Sequence, residues 1–551
     1  MAVITPDSDV ILLKVPLEID DTNQLTFASA TAQYNYFYGL TGKKTYDKFT
    51  YQRKDGVIRI PEKMDDIITY NYVMYRNEGY SNKWFYAYIT GMEYVNDSVT
   101  AVSIKTDCFQ TWMFELTMKP CFVEREHVND DTVGANTVPE GLELGEYTVN
   151  TSTTFDPSKL TTYTSGGQTY TITTIFPIFF QVTGLVAGLS TASSAFDHRI
   201  NGIFSGLYVF AVDSPEAAHS IISKYDADQN GNEIVAIFLA PKEFLQGCEV
   251  YGEYGYNVYI PHVESANSTL KDAATVTRPS TVNGYTPKNN KMFTWPFSFV
   301  TVSNNAGINT EFKYEDFGSA TPQFSILGTL GQGCTTKLYP INYKNSGTGV
   351  ERFDYSVTGA KYPMCAWVSD YYTNWVTQNS LNIGLGLAGE MISAPVSTVA
   401  GINYAKDKTL GTLGTLGAGI SMLTSIASVM GQTHAAKAHP DQARGNVNCS
   451  DMLIGARKYF TVNTMSVRAE IAKCCDEFFS MFGYKVSRVK TPNVTGRTNW
   501  NYVKTIGCYI QADIPQEDLQ TIKNMFDKGV TFWHNPSTFG DYSQSNAIVT
   551  P

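Results

Sequence analysis

Residues 381–431 restrict what this chain can fold into more than any other stretch. They read LNIGLGLAGEMISAPVSTVAGINYAKDKTLGTLGTLGAGISMLTSIASVMG, and their only charges are Glu390 and the cluster Lys406, Asp407 and Lys408. The cluster divides the stretch into two arms, 381–404 and 409–431. The apolar side chains of the first arm are Leu381, Ile383, Leu385, Leu387, Met391, Ile392, Val396, Val399 and Ile402. In the second, the candidate site residues are Leu410, Leu413, Leu416, Ile420, Leu423, Ile426, Val429 and Met430. So much contiguous apolar surface is not left in water; it must be packed, paired or held for a partner.

Three readings compete. A buried helical hairpin is one, since Ile420, Leu423, Ala427 and Met430 fall on one helical face. A flexible linker is the second, although Leu, Ile, Val and Met are too frequent for it. The third is a segment hidden in water that enters membrane when released. As helix, each arm would reach roughly 35 Å, against a hydrocarbon core of about 30 Å. Frequent Gly permits close helix approach in lipid, and Ser and Thr can bond across helices there. Lys406, Asp407 and Lys408 then form the polar tip. The third reading requires a cage, and a symmetric oligomer with a shared lumen supplies one.

The rest of the chain is of another character. The 35 Tyr and 30 Phe favour half-buried pleated surfaces. Charged residues are 17% and the net charge is −11. An acidic chain is a poor nucleic-acid binder, because that affinity comes from cations on phosphates. It is a suitable surface for DNA to pass without sticking. Nine scattered Cys without a CxxC pair signal neither a disulfide framework nor a zinc ribbon. They fit free thiols from a reducing cytoplasm. The start, MAVITPDSDV, lacks the features of a secretory signal.

Strand patterns fill residues 1–128. DVILLKVPL opens them, a hairpin is expected around Lys54-Asp55-Gly56, and another at Asn96-Asp97. In KWFYAYI, Trp84, Tyr86 and Tyr88 share one face, and Phe85, Ala87 and Ile89 the other. Such a strand is central in a sandwich or touches a neighbouring subunit. Residues 129–150 read as a polar linker arm, and 151–375 as a mixed, β-rich middle domain. Within the latter, Ser214-Pro215 opens a helix and EIVAIFLAP is a strand. Residues 376–450 hold the apolar loop and its polar return. Residues 451–551 read strand, helix, strand, strand, helix, strand. The first helix carries Val467, Ile471, Cys474, Phe478 and Phe482 and stops at Gly483. The second starts after Pro515, carries Leu519, Ile522 and Phe526, and stops at Gly529.

Catalytic and metal motifs are missing: no P-loop, dinucleotide fingerprint, nucleophile elbow or HExxH occurs. Glu124-Arg125-Glu126-His127 reads as a surface ion-pair ladder, and Cys474-Cys475 as a core-facing pair. Asp226, Asp228, Asn230 and Gly231 resemble half of a calcium loop. The twelfth position, which should be a bidentate Glu, is Ile237, so a turn is the better reading. Lys485, Arg488, Lys490, Arg497 and Lys504 form a basic run with Tyr484, Trp500 and Tyr502 between them. Basic and aromatic residues together can hold single strands. A solvated face or a contact with an acidic neighbouring subunit suits the acidic chain better.

Several long, aromatic runs carry a family resemblance. They are QYNYF at 33–37, NKWFYA at 82–87, QTWMF at 110–114 and VEREHV at 123–128. Near the other end stand YKV at 484–486, RVK at 488–490, PN at 492–493, NYV at 501–503, FDKGVT at 526–531 and WH at 533–534. In these runs the chain resembles the distal tail tube, or tail knob, protein of small short-tailed phages of Gram-positive bacteria. The resemblance implies a mainly β fold with an α+β C-terminal part, in which tail-tube-like sheets from both ends of the chain build the wall of a hexameric tube. It implies a long apolar loop, at 376–450, that plugs the channel and later opens the host membrane. Expected partners are five further copies, the upper tail or collar protein, lipid of the host cytoplasmic membrane, and genomic DNA in transit without specific binding. No cofactor, metal or enzymatic activity is expected. The expected place is the distal tail of the virion, after synthesis in host cytoplasm. A receptor-binding tail module, exposing aromatic loops from 260–350, is the alternative; a tail-associated hydrolase lacks a carboxylate pair or metal cluster.

Overall fold

A computed structural model describes residues 8–366 other than 50–55, 78–79, 156–161, 173–176, 191–195, 197–198, 201–202, 205, 229, 254, 262–267, 329, 331–335, 347–353 and 360–363; it also describes 445–446 and 460–549. The chain divides into two compact units. The first joins residues 1–146, 281–297 and 467–551, and the second joins 147–280 and 298–466.

In the first unit the N-terminal part supplies β1 (Ser8–Leu13), β2 (Asn23–Leu25), α1 (Ala30–Gly39), β3 (Lys44–Phe49), β4 (Val57–Ile60), α2 (Met64–Ile67), β5 (Tyr72–Asn77), β6 (Tyr80–Asn96), β7 (Val99–Thr106), α3 (Cys108–Trp112), β8 (Thr117–Met118) and β9 (Cys121–Glu126). The C-terminal part supplies α4 (Ala469–Phe482), β10 (Tyr484–Lys490), β11 (Trp500–Ile506), β12 (Ile510–Gln511), α5 (Gln516–Lys528) and β13 (Val530–Trp533). Two large sheets result, ordered β3-β1-β5-β6-β7-β4 and β2-β13-β11-β9-β10, and β8 pairs with β12 in a two-stranded ribbon. β6 lies inside the first sheet because both its faces are apolar. Tyr86 and Tyr88 pack with Phe37, Tyr72, Trp500 and Trp533, while Ala87 packs with Val10, Ile58 and Val102 on the reverse. The Asn96-Asp97 hairpin joins β6 to β7, with Asn96 opposite Val99.

One expected hairpin is corrected. β3 and β4 do not pair; β3 pairs with β1, and β4 with β7 at the far edge. Lys54 and Asp55 lie outside the described residues, whereas Gly56 has φ +60°. The Asp-Gly signal reports local turn chemistry, but strand partners are chosen by burial. Alternation along β4 puts Ile58 and Ile60 in the core while Val57 and Arg59 face out, and β7 offers Val102 opposite Ile58.

The five-stranded sheet is built from both ends of the chain. Asn23 of β2 aligns with Thr531, Trp500 of β11 with Trp533, Val503 with Glu126, and Glu126 with Tyr484. α5 buries Leu519, Ile522, Met525 and Phe526 and ends at Gly529, φ +97°, as the periodicity predicts. α4 is rotated from the expected register. Ala472, Cys475, Asp476 and Phe479 are its buried residues, and Cys474 is exposed. The vicinal cysteines therefore do not face the core as a pair; successive helical residues point about 100° apart.

In the second unit a seven-stranded sheet runs in the order Glu249–Glu253, Tyr256–Ile260, Tyr208–Val212, Ile178–Val182, Ile234–Leu239, Met364–Ala366, Gly445–Asn446. The central strand Ile178–Val182 is buried along its whole length. Phe180 stacks on Phe210 at 5.1 Å and Phe179 on Phe238 at 5.6 Å. Helix Pro215–Ala227 starts at the expected place, where Ser214 Oγ accepts the Ala217 N–H at 3.1 Å. Two four-stranded sheets and two two-stranded ribbons also belong to the unit.

Candidate functional site

The plug residues from Leu381 to Met430, and the tip Lys406, Asp407 and Lys408, lie outside the described residues. What the structure places is the base of the excursion that contains them. Met364 pairs with Asn446 and Cys365 with Gly445, antiparallel, at one edge of the seven-stranded sheet. The described residues on either side of 367–444 are therefore paired with each other on adjacent strands. Closing an excursion costs free energy that grows only with the logarithm of its length. A long segment of unusual composition can be carried there without taxing the fold. Among the described residues no helix is long and apolar enough to cross a membrane.

The first unit depends on buried polar groups around β9 and α4. Here the expected surface ladder is corrected. Glu124 is at the surface, paired with Lys504 at 2.9 Å, but Glu126 and His127 are buried. Glu126 takes an ion pair from Lys490 and the Asn493 N–H at 2.9 Å. The ladder is broken by a register shift between β9 and β11 at Lys504/Thr505, which turns Glu126 inward. His127 Nδ1 accepts the Tyr502 N–H at 2.7 Å, and its Nε2 donates to the Ser480 carbonyl at 3.1 Å. This fixes one neutral tautomer. A proton on Nδ1 would confront the Tyr502 N–H with a second donor.

Burial, with Arg497 and Arg125 nearby, pulls the His127 pKa down to about 3; the Ser480 carbonyl opposes this. The unfolded chain takes this proton near pH 6.5 and the folded chain does not. His127 thus contributes stability that is complete above pH 6.5 and declines as pH falls toward 3. The loss from this residue should reach about 2 kcal/mol by pH 5. Thermal melts at pH 7 and pH 5 check it. The wild type should lose more stability between them than His127→Gln, and equal losses would contradict the assignment.

Two further anchors hold distant segments. Glu140, in the arm after β9, receives Arg125, Lys291 Nζ at 2.7 Å and the Lys485 N–H at 2.9 Å. Asp476 on α4 receives the Tyr285 hydroxyl at 2.8 Å and the N–H groups of Lys288 and Asn289 at 2.7 and 3.0 Å. Together they pin residues 285–291 and the arm to α4 and β10. Neither Glu140 nor Asp476 stands out in the sequence. The only available signal is an acidic residue inside an otherwise helical apolar stripe, which Asp476 is.

These anchors bind distant parts of the fold to one another. No group of metal-ligand residues occurs among the described ones. Asp228 is paired with Lys224 at 2.8 Å, and Ile237, the twelfth residue of the calcium-like run, is a buried strand residue. A polar cavity of about 470 Å³ is bordered by Asp131, Arg497 and the C-terminal residues 543–548. Ser543, which borders it, is exposed and gives both its hydroxyl and its N–H to the Asp541 carboxylate, at 2.6 and 3.0 Å, within a local turn.

The basic run forms no stacking platform. Tyr484 and Trp500 are buried, and Tyr502 packs edge-on to Phe482 at 5.2 Å. Arg497 reaches inward to the Val128 and Asn546 carbonyls. The aromatics of 260–350 also turn inward: Phe312, Phe317, Phe324 and Tyr343 form a buried edge-to-face cluster. They are not on offer to a receptor.

A sheet built from both chain ends is what the resemblance implies for a tail wall. Comparison with known proteins agrees. The family model for the C-terminal domain of the tail knob protein gp9 of Bacillus phage phi29 matches residues 261–547, just over half of the chain.

The chain belongs to the phage tail knob protein family.

It is therefore a structural component of the virion tail. A second model, of the caudoviral major tail protein N-terminus, matches residues 7–117. The tail knob protein gp9 of Bacillus phage PZA is 26% identical, and that of phage phi29 25%, each over 98% of both chains. The solved tail knob protein gp12 of bacteriophage C1 superposes with a TM-score of 0.63 at 14% identity, over 98% of this chain and all of that one. That likeness shows the fold alone.

Proposed function

We propose that this tail knob protein assembles as a hexameric tube that conducts the genome, with the apolar stretch 381–431 sealing the channel until it is released into the host cytoplasmic membrane. One observation carries the reading. A stretch with almost no charge sits in a tail-component chain, and the excursion that contains it begins and ends on paired strands, Met364–Ala366 and Gly445–Asn446. In the closed tube six copies of the arms bury one another's apolar surface. Expelled from the tube, they partition into lipid at roughly 25 cal/mol per Å² of apolar area. The genome slides through a channel of low affinity because the chain is acidic. The protein acts without catalysis, and its partners are its own copies, the upper tail protein, lipid and passing DNA.

Electron micrographs of purified protein test the closed state. Wild type should give six-fold rings with a filled centre. A chain lacking 381–431 should give rings of the same diameter with an open centre. Rings with the same filled centre in both would show that the stretch is not the plug.

A further inference from the structure

One row of side chains in the first unit is left bare by its own chain. Val489 of β10 and Ile506 of β11 both stand opposite Phe122 of β9. The three are 71%, 58% and 37% exposed. Farther along the same face α4 covers the sheet: Phe482 packs on Tyr502, and Phe478 lies under Arg125. The cover ends before the row. β10 is also the outermost strand of its sheet, and an outer strand with exposed apolar side chains invites pairing or coverage.

Charge tells what covers it. Lys490 and Lys504 are neutralised by Glu126 and Glu124. Lys485 and Arg488, on the same outer strand, have no ion-pair partner among the described residues, and Arg488 is exposed. The opposite edge of this sheet is β2, and the residues leading into it are Glu18, Ile19 and Asp20. All three are exposed, Ile19 by 45%, and neither carboxylate has an ion-pair partner among the described residues. A basic edge with an apolar row and an acidic lead-in with an apolar residue thus bound one sheet on opposite sides. They cannot meet within one chain. They meet when a second copy stands beside the first, and contact of this head-to-tail kind gives a ring where its rotation closes, as the ring reading requires.

We propose that the Arg488 edge with the Val489, Phe122 and Ile506 row docks on the Glu18-Ile19-Asp20 segment of a second copy of this chain. The proposal rests on the ring reading above and adds the surface that makes the ring. Two variants test it: Arg488→Glu, and Glu18→Lys with Asp20→Lys. Each places like charges across the contact at exposed side chains. Because Asp20→Lys also gives up the bonds from the Thr22 N–H and hydroxyl at 3.1 and 3.0 Å, Glu18→Lys alone is carried beside the double variant, and Arg488→Glu and Glu18→Lys should melt with wild type. Sedimentation at matched concentration should show assembly weakened by about tenfold or more in either variant alone. An equimolar mixture should recover assembly to within about twofold of wild type, because alternating chains restore opposite charges at every contact. Wild-type rings with undiminished assembly of Arg488→Glu would overturn the contact and leave the ring reading standing. A mixture that stays dissociated would overturn it as well. A wild-type chain that remains monomeric would overturn both.

Discussion

Replacing Gly483 with Ala should destabilise the first unit by at least about 3 kcal/mol. Gly483 ends α4 with φ +65° and ψ −156°, and its N–H caps the Phe479 carbonyl at 2.8 Å. That backbone region is nearly closed to residues with a Cβ. Space is also lacking. A Cβ built there falls 2.2 Å from the Glu126 carbonyl oxygen and 2.6 Å from the His127 nitrogen. Both atoms are backbone, and the β9 end that carries them is fixed by Lys490, Asn493 and Tyr502. Neither the turn nor the strand can yield cheaply. Gly507→Ala is the control. Gly507 has φ +68°, but nothing lies within 4 Å of the added Cβ. It should cost only about 1 kcal/mol, the conformational part alone. Urea unfolding separates the two. Equal midpoints for both variants would show that the close approach to β9 is not a constraint.

Glu140→Ala is expected to cost about 3–5 kcal/mol, because it strands buried positive charge. The Glu140 side chain is fully buried, and that of Lys291 is 2% exposed. Burial alone would raise the Glu140 pKa, but Lys291, Arg125 and the Lys485 N–H together hold it below the ordinary carboxylate value. The carboxylate is therefore charged at neutral pH and matched by three donors. Removing it leaves the Lys291 ammonium with the Val138 carbonyl at 2.8 Å and the faces of Tyr484 and Phe479 at 5.4 and 5.7 Å, and no carboxylate among the described residues. Glu140→Gln keeps the shape and one acceptor, and should fall between wild type and Ala. Replacing Glu140 and Lys291 together by Leu and Met should recover the part of the loss that comes from the stranded Lys291 and no more, since Arg125 and the Lys485 N–H still lack their acceptor. Urea midpoints for the three variants check the ordering. A double variant weaker than Glu140→Ala would show that the pair contributes more than mutual neutralisation.

Local patterns were the legible part of this chain. The stripe Leu519, Ile522, Phe526 with Gly529 marks α5, Asn96-Asp97 marks a hairpin, and two apolar faces mark β6 as a central strand. Each signal is complete within a few residues. The polar anchors were not legible, because their partners are remote: Glu126 and Asn493 are 367 residues apart, and Glu140 and Lys291 are 151 apart. A charged residue in sequence looks solvated until the fold brings its donors. The same remoteness hid the partners of β3 and β4. α4 was misread by one step, since Asp476 faces inward to bind 285–289 and Cys474 does not. The apolar stretch is the most conspicuous candidate of all, and what the fold adds is the pairing of Met364 and Cys365 with Asn446 and Gly445 on either side of it.

Leakage of dye from liposomes of bacterial lipid tests the central claim most directly. Wild-type protein, once its arms are released by mild destabilisation, should empty the vesicles. The chain lacking 381–431, with the same rings and the same destabilisation, should leave them sealed. Full leakage by the deleted chain would contradict the assignment of membrane entry to this stretch.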